Sequence, residues 1–181
     1  MIGGLSYSTS DIGYILLGGG AALIIWQAFC FTRVTKVLGI RNTLITGFIL
    51  GGLLITLFPS ATIFNSIFHG SERYINLWVF IYLTVLMLLR TCCSTSCFTS
   101  TNIFVNLAAP RDVGKANGIA FTLAGLVKAL VPTAGANILA WSLNSGYPFP
   151  FDYHLVFWLL GLTALLGVGV SLTIDAQLER G

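Results

Sequence analysis

Charge is what this chain has least of. Of 181 residues only 8% are charged, with nine Lys and Arg, six Asp and Glu, and two His. A soluble domain carries about 25% charged residues, so this chain cannot cover its surface with charge. The 56% of hydrophobic residues and a mean hydropathy of +0.89 must therefore face something other than water. This excludes an ordinary water-soluble domain and defines an integral membrane protein whose first partner is the lipid bilayer. A net charge of +3 is too small to argue for nucleic acid as a partner. The four cysteines, Cys30, Cys92, Cys93 and Cys97, lie in or beside apolar runs, which speaks against a secreted disulfide framework. The start, "MIGGLSYSTSDIG", lacks the basic segment of a cleavable signal peptide.

What the sequence does have is length in its apolar runs. Five reach the ~20 residues that span a bilayer as helix. They run from Ile12 to Phe31, from Leu44 to Ile63, from near Ile75 to Pro110 with Arg90 inside, from Ala116 to Trp141, and from Leu155 to Ile174. The runs are continuous, not short and alternating, which predicts helices in place of barrel strands. The fold class expected is all-α, a polytopic membrane protein with about five transmembrane helices, and residues 1–181 form a single transmembrane domain.

Basic residues orient these spans. "TRVTKVLGIR" carries Arg33, Lys36 and Arg41, "PRDVGK" carries Arg111 and Lys115, and the tail carries Arg180. With five helices all six fall on one side, against Arg73 on the other. The positive-inside rule then puts the amino terminus outside and the carboxyl terminus in the cytosol. "GYILLGGGAAL" and "GFILGGLL" place small residues where helices can approach closely, for packing or to line a moving pathway.

Two segments carry a family pattern. "FTRVTKVLGIRNTLITGFILGG", with Arg33, Lys36, Gly39 and Arg41, resembles the basic cytosolic loop G-x-x-x-D-R-x-G-R-[RK] of the major facilitator superfamily, without its acidic residue. "APRDVGKANGIAFTLAGLVKALVPTAGANILAWS" resembles the next cytosolic loop and eleventh helix of that family. Fungal multidrug-type proton antiporters and the plant zinc-induced facilitator-like group commonly read P-x-x-x-x-G-x-A-N-G there. A basic residue and a G-P-x-x-G-like turn follow. Pro110, Gly114, Ala116, Asn117 and Gly118 fit, Lys128 falls at the basic position, and Val131 replaces the first glycine of the turn that keeps Pro132 and Gly135.

The resemblance implies helices eight to twelve of a twelve-helix transporter built from inverted three-helix repeats. Five is an odd count, so it also implies a carboxyl-terminal fragment or truncated product. The function it implies is part of a secondary active transporter in a plasma or vacuolar membrane, moving a small solute, with protons as coupling ions and the amino-terminal half as partner. The alternative is a non-transporting structural protein or remnant.

Four residues are candidates for substrate binding or coupling. Lys128 lies roughly 20 Å past Lys115 along a helix, beyond the midplane of a ~30 Å core. A charge there costs about 2.5–3.5 kcal/mol on insertion scales, so it marks a cavity or a bonded structural lysine. Arg90 is about 22 Å along a helix from Ile75, and in the tenth helix that the resemblance implies it stands roughly where the pseudo-symmetric fourth helix of the family often carries a proton-linked arginine. The alternative is an arginine held by hydroxyls and helix carbonyls. Asn102, with the hydroxyls of "TCCSTSCFTSTN", and Asn137, one turn past Thr133, can line a polar cavity.

Gating candidates are Pro132 and Gly135, which interrupt the fourth span, with Arg33, Gly39 and Arg41 from the resemblance. Asp11, Asp152 and His154 read as outer loop residues. No carboxylate lies deep in a span. Cys92, Cys93 and Cys97 lack the further ligands of a zinc site, and no catalytic triad, phosphate loop or metal-helix motif is present. No metal or cofactor is expected, and an enzyme is not.

Overall fold

A computed structural model describes residues 9–61 and 72–174. The described elements are α1 (Thr9–Ile25), a π turn (Trp26–Cys30), α2 (Phe31–Leu38), α3 (Ile40–Thr56), α4 (Glu72–Ala108), α5 (Val113–Ser145) and α6 (His154–Thr173). Five segments are long and apolar enough to cross a membrane: Ile12–Leu38, Ile40–Ser60, Leu77–Ala108, Val113–Ser145 and His154–Thr173. The all-α polytopic class and the five spans expected from the apolar runs are what the structure has.

The first and fourth spans are longer than the apolar runs suggested, because helix continues into the basic segments. Arg33 and Lys36 were expected in a loop, but both lie in α2. The linker between the first two spans is Gly39 alone. Its φ of 83° lies in the left-handed region, where a Cβ is strained. Helix α2 ends on it as Gly39 N–H donates to Thr35 O at 2.9 Å. Helix α3 starts on it as Thr43 donates to Gly39 O from both its N–H (3.1 Å) and its hydroxyl (2.7 Å). A residue free to take positive φ, with a carbonyl that serves the next helix, lets the chain reverse in one step.

Helix α3 is the centre of the bundle, flanked by α4 and α6, with α1 on the far side of α4. Glycine makes the contacts close. A Cβ at Gly47 would sit 2.7 Å from Cys97 Sγ and 3.2 Å from the Cys93 carbonyl of α4. A Cβ at Gly52 would sit 2.9 Å from Ala164 Cβ, and one at Gly161 would sit 2.7 Å from Thr56 Cγ2. The Phe48 ring lies against Gly167, where a Cβ would meet ring atoms at 2.7–2.9 Å. So "GFILGG" faces α4 with Gly47 and α6 with Phe48 and Gly52. Lipid tails are as apolar as leucine, so close van der Waals packing, not water exclusion, holds such helices together.

The burial pattern agrees. Ser100, Ser142 and Ser171 are buried to 2% exposure or less, while Leu17, Leu130 and Leu165 are more than 60% exposed. Hydroxyl-bearing and apolar residues share the interior, where Leu44, Val79, Leu86 and Phe104 are also buried, while many other large apolar side chains face outward. Between the π turn and α4, Trp26 Nε1–H donates to Ser96 Oγ at 2.8 Å, and Thr99 Oγ1 donates to Gln27 Oε1 at 3.3 Å.

The seam predicts opposite signs for one substitution type. Gly52→Ala should destabilise the protein by about 1–3 kcal/mol, because Ala164 Cβ is fixed to backbone and cannot yield. Gly125→Ala, with nothing within 4 Å of its Cβ, should be neutral or stabilise by up to about 1 kcal/mol through helix propensity. Thermal unfolding in detergent micelles measures both.

Candidate functional site

Arg90, Ser94 and Cys97 follow one another at i, i+4 and i+7 on α4, which puts them on one helix face. That face meets Gly47, Gly51 and Gly52 of α3, which have no side chain to fill the space. Leu160, Thr163 and Ala164 of α6 close the third wall, and Phe48 and Ile55 complete a cavity of about 360 Å³. Arg90 sits halfway along α4. Among the described residues it makes no hydrogen bond or ion pair, so the expected alternative of an arginine held by hydroxyls and helix carbonyls is not what they show, although Ser94 and Thr163 share its cavity. A second cavity, of about 260 Å³, lies on the other side of α4 between Trp26, Leu50, Leu89 and Ser96 and is almost wholly apolar.

The other binding candidates are elsewhere. Lys128 is on the exposed face of α5, its Nζ 5.2 Å from the centroid of the Phe98 ring. It lines neither cavity, contrary to the expectation that a mid-span lysine faces one, and its neighbour is a π face in place of a carbonyl. Cation–π contact of this kind offsets part of the cost of a desolvated charge, by about 0.5–2 kcal/mol. Asn137 is exposed on α5, and Asn102 is half-buried on α4. Neither borders a described cavity. So Arg90 alone of the four lines a cavity, and the structure does not bring the four together.

Pro132 and Gly135 were expected to interrupt the fourth span, yet α5 is helical from Val113 to Ser145 through both. Proline still removes one backbone donor from that turn. Of α5 only Ser142 is buried, and Gly114, Gly118, Gly125 and Gly135 have no atom within 4 Å of a Cβ. The helix stands at the edge of the bundle. It is pinned at one end by Asn117 Nδ2 donating to Asn106 Oδ1 (2.7 Å) and at the other by Ser142 Oγ donating to Asp152 O (2.8 Å).

Arg41 does what Arg33 does not. Its Nη2 donates to the Leu172 carbonyl at 2.9 Å, joining the start of α3 to the last turn of α6. A cation there complements the negative end of the helix dipole. The Nε of Arg41 is buried without a partner. Arg33 is exposed on α2 and makes no bond.

Ser94, one of the hydroxyls of "TCCSTSCFTSTN" expected to line a polar cavity, is in the cavity wall. Sequence reasoning missed Thr163, which arrives only through the α3–α6 packing. It also missed the Asp152–His154 pair. Asp152 Oδ1 is 2.7 Å from His154 Nδ1 and accepts the His154 N–H at 3.1 Å, just ahead of the first turn of α6. Asp11 falls outside the described side chains. Among the described residues no group of three His, Cys, Asp or Glu could hold a metal ion.

Five apolar helices, three of them packed at glycine contacts around an arginine-bearing cavity, define a polytopic α-helical membrane protein. Comparison with known proteins finds several relatives. The chain is 32% identical to zinc induced facilitator-like 1 of Arabidopsis thaliana, over 92% of this chain and 33% of that protein. It is 31% identical to zinc induced facilitator 1 of the same plant, over 93% and 33%. It is 29% identical to a major facilitator superfamily multidrug transporter, mfsB, of Aspergillus fumigatus, over 98% and 27%. The chain is thus homologous, over nearly all its length, to part of a major facilitator superfamily transporter. It spans about a third of the length of these curated relatives. No family model and no solved structure matches it.

The two basic gating candidates are separable. Arg41→Ala should cost about 1–2 kcal/mol of stability by removing a charge-assisted bond to a helix end. Arg33→Ala should change it by less than about 0.5 kcal/mol. Unfolding in micelles at equal ionic strength checks the contrast.

Proposed function

We propose that this chain supplies helices eight to twelve of a secondary active transporter that moves a small solute across a membrane, coupled to protons. The observation that carries this is the division of labour in the bundle. Helices α1, α3, α4 and α6 pack on one another, and α5 stands apart with a mid-span lysine and a proline. A helix built only for packing has no use for Lys128, since an ionisable residue within a span is costly. In this reading the open face of α5 meets the solute pathway and the amino-terminal half, and Pro132 lets the helix bend. Lys128 attracts an anionic group of the solute or a carboxylate of the other half. No Asp or Glu lies within the five spans, so the coupling proton titrates a group of the other half.

The basic ends of the spans favour a cytosolic carboxyl terminus and an outside amino terminus, in a plasma or vacuolar membrane. Antiport fits the resemblance to proton antiporters. The relatives' names include zinc induced facilitators, a probable peptide/nitrate transporter and a multidrug transporter, so the solutes to test are small peptides and nitrate.

Grafted in place of the matching third of zinc induced facilitator-like 1, the chain should support uptake of at least one of these into proteoliposomes under a pH gradient. Alone it should support none. Lys128→Ala in the graft should lower uptake by about tenfold or more with folded protein retained. Unchanged uptake kinetics would remove the role of Lys128, and solute transport by the chain alone would overturn the reading as part of a transporter.

A further inference from the structure

Arg90 presents a problem that the packing does not solve. A guanidinium stays charged at any physiological pH and carries five N–H donors. At the midpoint of α4 it has, among the described residues, neither carboxylate nor carbonyl to receive them. The side chain is part-exposed, and an unpaired charge within a span is costly. The space beside it is not filled by protein either. Gly47, Gly51 and Gly52 leave the α3 wall bare, and the cavity of about 360 Å³ falls within the range of small-molecule sites, about 300–1,000 Å³. Its lining is divided in character. Arg90, Ser94 and Thr163 carry polar atoms, while Phe48, Ile55 and Leu160 are apolar. The Thr163 hydroxyl already donates to the Leu160 carbonyl at 2.7 Å, so toward the cavity it can only accept. Among the described residues the Ser94 hydroxyl has no bond, and it can donate.

We infer that this cavity is an oxyanion site, in which Arg90, aided by Ser94, holds one carboxylate or phosphate group of a small amphipathic molecule. The planar fork of the guanidinium matches the two oxygens of such a group. The apolar body of the ligand lies against Phe48, Ile55 and Leu160. Neutral and cationic analogues of the same size are rejected, the first because they leave the arginine unpaired and the second by repulsion. A soluble organic anion and the phosphate of a lipid both carry this chemistry. The inference rests on the transport reading only for the meaning of the ligand as a solute. Binding is measured at equilibrium, so it stands or falls apart from uptake.

The test uses the full chain in maltoside micelles, with benzoate as probe and benzamide and benzylamine as neutral and cationic controls, read by calorimetry. Benzoate should bind, and the two controls should bind at least about tenfold more weakly, as loss of a charge-assisted bond implies. Arg90→Gln should weaken benzoate by about tenfold or more. Thr163→Phe, at an exposed position, fills the cavity without touching the charge and should do the same. It decides the matter if Arg90→Gln does not fold. Displacement of benzoate by inorganic phosphate but not by phosphatidylglycerol assigns the site to soluble anions, and displacement by the lipid assigns it to a lipid phosphate. No benzoate binding, equal binding of benzamide, or benzoate affinity unchanged in either variant overturns the site.

Discussion

Everything in this bundle depends on how closely two backbones can approach α3. That helix has a neighbour on each side, and at each contact one partner offers no side chain: Gly47 toward α4, Gly52 and Gly161 between α3 and α6, and Gly167 beneath Phe48. A Cβ at any of these would lie within 3.0 Å of another atom. In lipid there is little hydrophobic force to press helices together, so dispersion summed over a close contact must do so. The glycines trade helix propensity for that contact. The same bare surface that admits Cys97 and Ala164 also leaves the space that Arg90 faces.

The tight trio explains why the remaining elements look as they do. The turn into α3 has one residue, Gly39, because α2 and α3 must reverse direction without a loop. Arg41, two residues on, ties α3 to the Leu172 carbonyl and so closes the same end of the α3–α6 pair. Helix α5 is excluded from the seam. Its glycines meet nothing, its interior-facing contacts are few side-chain bonds near its two ends, and its mid-span charge rests on one aromatic ring. An element with few packed contacts has low local stability and is free to move first. That is the physical sense in which α5 suits a gating part and α3, α4 and α6 suit a rigid one.

The sequence showed the helices and not their neighbours. Five apolar runs of the right length are readable because a bilayer demands length and apolarity of each span separately. Helix ends were less readable, since α2 carries Arg33 and Lys36 where hydropathy falls but hydrogen bonding continues. Glycines announced close packing, yet nothing in "GFILGGLL" told which glycine faces α4 and which faces α6. Arg90 was legible as a costly residue, and Ser94 as its neighbour on the helix face. Thr163 was not, because the α3–α6 contact brings it from 73 positions away (from Arg90) in the chain. Lys128 was legible as a mid-span charge, but its companion Phe98 was not, since cation–π pairs leave no pattern in one dimension.

The claim to test first is that α3 and α6 meet at backbone distance. Thr56 Cγ2 lies 2.7 Å from the position of a Cβ on Gly161, which brings the two Cβ atoms to within the span of a disulfide, about 3.5–4.5 Å. The variant Thr56→Cys, Gly161→Cys, with the four native cysteines replaced by alanine, should cross-link within its own chain on mild oxidation in native membranes, seen by mass spectrometry of the peptides. Thr56→Cys paired with Gly125→Cys should not. Failure of the first pair to cross-link while the protein remains inserted and helical would contradict the glycine seam, and with it the cavity and the placement of α5.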